Sequence, residues 1–184
     1  MPDELLDVVN DQDVVTAQVL RSLVHEQGLQ HRGVHVFLFT REGKLLVQQR
    51  SRNKDSHPLA WDCSVSEHVK AGESYDQAAE RGLLEELGLR EIEIQPLVKF
   101  KMLYGQNDYE ISRLYHGSVD PAFVRFDPAE IEQAAYYRIT DLLEMIPADE
   151  NKFSYWFIQL LAWYAGHSSD MEIMQVDSDL RPFL

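Results

Sequence analysis

The hydrophobic positions of the chain fall into short runs separated by polar turns. LLDVV and VVTAQVL flank the turn-like NDQD and predict an N-terminal hairpin. VHVFLFT and LLVQQR flank REGK, a stronger hairpin signal. QQRSRNKDSHPLA then reads as a polar loop carrying Arg50, Arg52 and Lys54, and WDCSVSEHV as one short strand. EIEIQPLVKF and EISRLYHGSV predict strands joined through LYGQND, and AAYYRI another. TDLLEMI reads as a short helix, FSYWFIQLLAWY as a helix with a strong apolar face, and QVDSDLRPFL as a tail.

The best-marked helix runs from about Ser74 to Leu87. Ser74 and Gln77 have capping-box spacing, and Gly88 stands where a helix stop belongs. At roughly 100° per residue, Ala79, Leu83, Leu84 and Leu87 share a core-facing arc. Ala78, Gly82, Glu85 and Glu86 share another, with Gly82 on the strip between the glutamates. That arrangement is costly. Glycine weakens a helix interior by about 1 kcal/mol relative to alanine, and adjacent carboxylates repel unless a cation joins them.

Strands and helices in unequal runs, with two hairpins, predict an α/β fold: a mixed sheet covered by helices. No repeat or linker divides the chain, so residues 1–184 read as one domain. Within it lie an N-terminal hairpin (about 4–20) and a C-terminal helix and tail (about 153–184). The 45% hydrophobic content of the 184 residues suits a sizeable core. The net charge of −14 disfavours a nucleic-acid or anionic-membrane partner, while a small anionic substrate remains compatible if a cation receives it. A single cysteine, Cys63, forbids an intrachain disulfide and fits a reducing compartment. The N-terminus has no basic, apolar leader pattern, and no run approaches a membrane span, so a cytoplasmic location is expected.

Neighbouring glutamates on a rigid helix suit a hard divalent cation that bridges substrate phosphate. The stretch from Glu67 to Leu89 resembles the signature of the Nudix family: Gly, five residues, Glu, seven residues, Arg-Glu, an apolar residue, any residue, Glu-Glu, any residue, Gly, apolar. It matches at Glu73, Arg81, Leu83, Glu85, Glu86, Gly88 and Leu89, and departs at Glu67 and Gly82. The resemblance implies a Nudix-type α/β/α sandwich with Mg²⁺ or Mn²⁺ as cofactor, and a diphosphate-bearing small molecule as substrate. It makes Glu85 and Glu86 metal and catalytic groups, and draws Glu110 from a later strand as a further ligand or base. Glu73, Arg81 and Gly88 take structural roles, Arg50 and Lys54 contact phosphate, and position 67 acts through its backbone. Gly82 stands where many members carry a glutamate, so Gly82→Glu is expected to raise turnover.

A second resemblance, to the type I isopentenyl-diphosphate isomerases of the same superfamily, rests on QHRGVHVFLF, LLVQQRS, WDCSVSEH and FSYW. It implies a metal held by His31, His68, Asp108 and Glu110, with His25 as a further ligand one residue nearer His31 than in the family pattern. The isomerase cysteine, however, is Ser66 here, and serine is a poor thiol substitute. The expected function is therefore hydrolysis of a diphosphate linkage, with isomerisation as the alternative and a weakly active binding module as a third reading. His35 is expected to oppose Val34 and Val36 across a strand, and Tyr104, Tyr155 and Trp156 to fill core.

Overall fold

The computed structural model describes residues 3–54 and 56–178. The strands are β1 (Leu5–Val9), β2 (Val15–Leu20), β3 (His31–Phe39), β4 (Leu45–Arg50), β5 (Trp61–Asp62), β6 (Val65–His68), β7 (Ile94–Gly105), β8 (Asp108–Ser118), β9 (Ile131–Tyr137) and β10 (Glu172–Val176). The α-helices are α1 (Arg21–Gln27), α2 (Tyr75–Leu87), α3 (Ile139–Ala148) and α4 (Tyr155–Tyr164).

The main sheet is mixed, in the order β10-β7-β8-β3-β4-β5, with β6 also on β3 and β9 on β4. Its β3 and β8 run parallel while the other pairs are antiparallel. Alternation along β3 sends Val34, Val36 and Leu38 to the α2 face, and Phe37 and Phe39 to the face covered by α3 and α4. His35 shares the second face, where its ring stacks on Phe100. Helices on both faces make an α/β/α sandwich, and among the described residues no helix is long and apolar enough to cross a membrane.

The helix α2 begins at the capping box: Gln77 N–H donates to Ser74 Oγ at 3.2 Å, and Ser74 N–H to Gln77 Oε1 at 2.9 Å. It ends at Gly88, left-handed at φ 67°. Its buried face is rotated from the expected arc. Leu84 is exposed, while Ala78, Gly82 and Glu86 are buried with Ala79, Leu83 and Leu87. The helix lies close on β6, so the strip around Gly82, expected to lie off the core face, is the one pressed against the sheet.

Other boundaries differ from expectation. WDCSVSEHV is divided between β5 and β6, since Ser64 turns inward and its hydroxyl donates to the Leu46 carbonyl at 2.6 Å. The turn expected across LYGQND shrinks to Gln106 and Asn107, as β7 and β8 pair down to Gly105 and Asp108. RSLVHEQ, assigned no element from sequence, forms α1. Glu172–Val176 is an edge strand on β7 whose last two residues begin the expected tail, and residues 179–184 lie outside the described residues.

Candidate active site

Two clusters of ionisable side chains flank β6. The first lies between β6 and α2. Arg81 Nε and Nη2 donate to the two Glu73 carboxylate oxygens at 2.9 and 3.1 Å, closing the loop before the helix onto its second turn. Its Nη1 reaches Glu67 at 3.0 Å and Glu85 at 3.2 Å, and Nη2 also donates to the His68 carbonyl at 2.8 Å. Glu86 is only 2% exposed and accepts from Gln48 Nε2 at 2.6 Å. Its carboxyl is pushed well up by burial and by the adjoining Glu67 carboxyl, with Lys54 acting in the opposite sense.

Glu85 and Glu86 are therefore unlike. Glu86 points into the sandwich, whereas Glu85 is 53% exposed and reaches back to Arg81. The half-buried companion of Glu86 is Glu67, whose side chain the sequence reading left unused. Lys54 pairs with Glu130 at the edge of this cluster. Arg50 is committed elsewhere: Nη1 bonds Asp62 at 3.0 Å, and the guanidinium lies 5.3 Å from the Trp156 ring centroid.

The second cluster forms where α1, β3, β6 and β8 meet. His31 begins β3 and pairs in register with Glu110 of β8, and His68 ends β6 opposite Gly33. His25 comes from α1, the helix missed in the sequence. His25, His31 and His68 offer ligand atoms within 4.8 Å of one another, as do His31, Asp108 and Glu110. His31 Nε2 stands 3.8 Å from Asp108 and 3.6 Å from Glu110, and His68 Nε2 stands 3.8 Å from Glu110. Glycine at position 33 leaves room for the Glu110 carboxylate, since a Cβ would meet its Oε2 at 2.0 Å and displace it.

The donor set fits a divalent metal. His25 Nε2, His31 Nε2 and Asp108 Oδ1 are buried without a hydrogen-bond partner, an arrangement that a cation would satisfy. The other nitrogen of His31 bonds the Leu29 carbonyl at 3.0 Å, which orients the ring. Burial holds His31 down to about 4, and burial with the neighbouring His31 lowers His68 well below its ordinary value. Burial, then Asp108, pushes Glu110 well up.

A buried polar network connects this cluster to the far face. Ser112 Oγ lies 2.8 Å from Glu110 and 2.9 Å from the Tyr104 hydroxyl. His35 bridges Tyr104 at 2.8 Å and Ser66 at 3.0 Å. Ser66 donates to Asp62 at 3.2 Å, and Asp62 also accepts from Trp156 Nε1 at 2.6 Å and Ser154 at 3.0 Å. Tyr104 and Trp156 are buried, yet both carry polar bonds. Asp62 is the hub that sequence reasoning missed, its one signal being a carboxylate set among Trp61, Cys63 and Val65.

Residues 29–157 match the family model described as the NUDIX domain. The chain belongs to the Nudix family. It is 30% identical over 163 residues to the isopentenyl-diphosphate Delta-isomerase of Serratia proteamaculans, covering 86% of this chain and 90% of that one. It is 32% identical over 135 residues to the uncharacterized Nudix hydrolase PA4841 of Pseudomonas aeruginosa, covering 73% and 79%. The crystal structure of DR0079 from Deinococcus radiodurans superposes with a TM-score of 0.69 at 32% identity, covering 79% of this chain and 90% of that one. The family supports an enzyme acting on phosphoric anhydrides, and its isomerase relatives keep isomerisation beside hydrolysis.

Proposed function

We propose that this Nudix protein is a divalent-metal-dependent hydrolase cleaving a diphosphate linkage in a small anionic molecule, such as a nucleoside diphosphate derivative. The reading is carried by the buried Glu86 carboxyl, fixed by Gln48 beside Glu67 at the foot of the motif helix. Mg²⁺ or Mn²⁺ is the fitting cofactor for such oxygen donors; when bound it supplies positive charge to a phosphoryl oxygen and eases deprotonation of water. Gln48 holds the Glu86 carboxyl in one orientation. Arg81 ties Glu67, Glu73 and Glu85 into a single frame, so that β6 and α2 present their carboxylates without rearrangement. Lys54, once released from Glu130, offers an ammonium to substrate phosphate.

A second reading, isomerisation of an isopentenyl diphosphate, is favoured by the convergence of His25, His31, His68, Asp108 and Glu110. Against it stands the proton donor. Ser66 occupies the position of the isomerase cysteine, and Cys63 is fully buried with its thiol pushed up by burial. Phosphate release from a panel of nucleoside diphosphate derivatives, with Mg²⁺, Mn²⁺ or a chelator, tests the first reading. Metal-dependent release supports it. Silence across the panel, with deuterium entering isopentenyl diphosphate from heavy water, supports the second.

A further inference from the structure

The two departures from the Nudix signature, Glu67 and Gly82, meet in space. A Cβ built on Gly82 would lie 3.1 Å from Glu67 Cγ and 3.7 Å from Glu67 Cβ, and only 2.5 Å from Val65 Cγ1. A glutamate on the helix at position 82 has no room, because the stem of Glu67 and the Val65 methyl already fill that space. The sequence expectation that Gly82→Glu restores a missing group is thereby corrected.

We infer that the metal site on the acidic face of α2 draws its further carboxylate from Glu67 of β6, Gly82 being the space that admits it. The charge that the Nudix signature places on the helix is placed here on the strand beneath it. Glu67 leaves one face of β6 directly below α2, where Val34 of β3 is its register partner. Its carboxylate then neighbours that of the buried Glu86 and accepts from Arg81 Nη1 at 3.0 Å. That bond to Arg81 uses Glu67 Oε2, and Arg81 remains held by Glu73 through two bonds of its own. A hard cation between Glu67 and Glu86 would remove the repulsion of two neighbouring carboxylates in a part-buried site. Fixed by Arg81, the Glu67 oxygens need no rearrangement to receive it.

The assignment rests on reading the face of α2 as the cleaving site, and it is tested independently of turnover. Crystals of the wild type and of Glu67→Gln are soaked in Mn²⁺ alone, and anomalous difference maps are compared. The expected wild-type peak lies within coordination distance of both Glu67 and Glu86. In Glu67→Gln that peak is lost, any peak among His25, His31 and His68 persists as an internal control, and Mn²⁺ affinity at the lost site falls at least about tenfold. A wild-type peak that touches Glu86 but not Glu67, a peak unchanged in the variant, or no peak at Glu86 overturns the inference. If the Gln variant does not fold, the wild-type map decides alone. An ion on Glu67 and Glu86 in a protein that hydrolyses nothing upholds the ligand assignment and removes the hydrolase reading.

Discussion

Val65 Cγ1 stands 2.5 Å from the point where a side chain at Gly82 would begin, so β6 and α2 approach as closely as a glycine allows. The contact joins a fully buried valine to the buried strip of the helix. Glycine's penalty in a helix interior, about 1 kcal/mol, is the cost of bringing the strand's carboxylate against the helix.

Gly82→Ala should therefore destabilise the fold despite alanine's better helix propensity. Overpacking of this kind costs about 1–3 kcal/mol, which exceeds the propensity gain at the upper end and offsets it at the lower. Urea denaturation is expected to give a lower midpoint, and a smaller loss when Val65→Ala is present to open space. A raised midpoint for Gly82→Ala alone would show that the strip has room.

The buried network gives a pH dependence. Burial holds His35 down to about 4 from an ordinary 6.5. Between those values the unfolded chain binds a proton that the native state refuses, so stability falls as pH drops through the window. The loss attributable to His35 is about 3 kcal/mol by pH 4, at about 1.4 kcal/mol per unit. Denaturation midpoints of the wild type and His35→Asn, measured from pH 7 to pH 4, check this: the variant's profile should be flatter by that amount. Parallel profiles would remove the assignment.

Much of this was legible in the sequence, for local reasons. The helix α2 announces itself through Ser74, Gln77 and Gly88, and the β3–β4 hairpin through REGK between two apolar runs. Helix α1 was hidden because it is short and its N-cap residue, Leu20, offers no side-chain cap. Strand β10 was hidden because an edge strand exposed on both faces shows no alternation. The meeting of His31 with Glu110 depends on the parallel register of β3 and β8, which no local pattern records. The role of Gly82 was misread because the pattern along one helix is silent about the strand pressed against it.

Gly33→Ala should impair the histidine-containing centre selectively. A Cβ there would meet Glu110 Oε2 at 2.0 Å and Ser112 Oγ at 2.8 Å, forcing the carboxylate off His31. Co²⁺ bound among the histidines has a visible absorption band, and the variant is expected to need at least about tenfold more Co²⁺ to develop it. Equal titrations would show that Glu110 does not contribute to that centre.

Arg81→Lys should loosen the loop that precedes α2. Lysine cannot span Glu73 in two parallel bonds while reaching Glu67 and the His68 carbonyl. A loss of about 2–3 kcal/mol is expected, given part-buried acceptors left without their donor. Denaturation at neutral pH measures it, and a change under about 0.5 kcal/mol, the range of ordinary surface substitutions, would contradict the frame drawn around Arg81.

The central claim is that diphosphate cleavage takes place at the face of α2 built around Glu86. Its most direct test is the Mg²⁺-dependent rate of phosphate release in Glu86→Gln beside that in His31→Asn, each checked for folding by circular dichroism. The account predicts that Glu86→Gln loses at least about a hundredfold in kcat, a removed charge at a catalytic metal site costing about 3 kcal/mol or more, while His31→Asn retains most of its rate. A Glu86→Gln enzyme that hydrolyses as fast as the wild type, with His31→Asn inactive, would move the chemistry to the histidine centre and contradict the account.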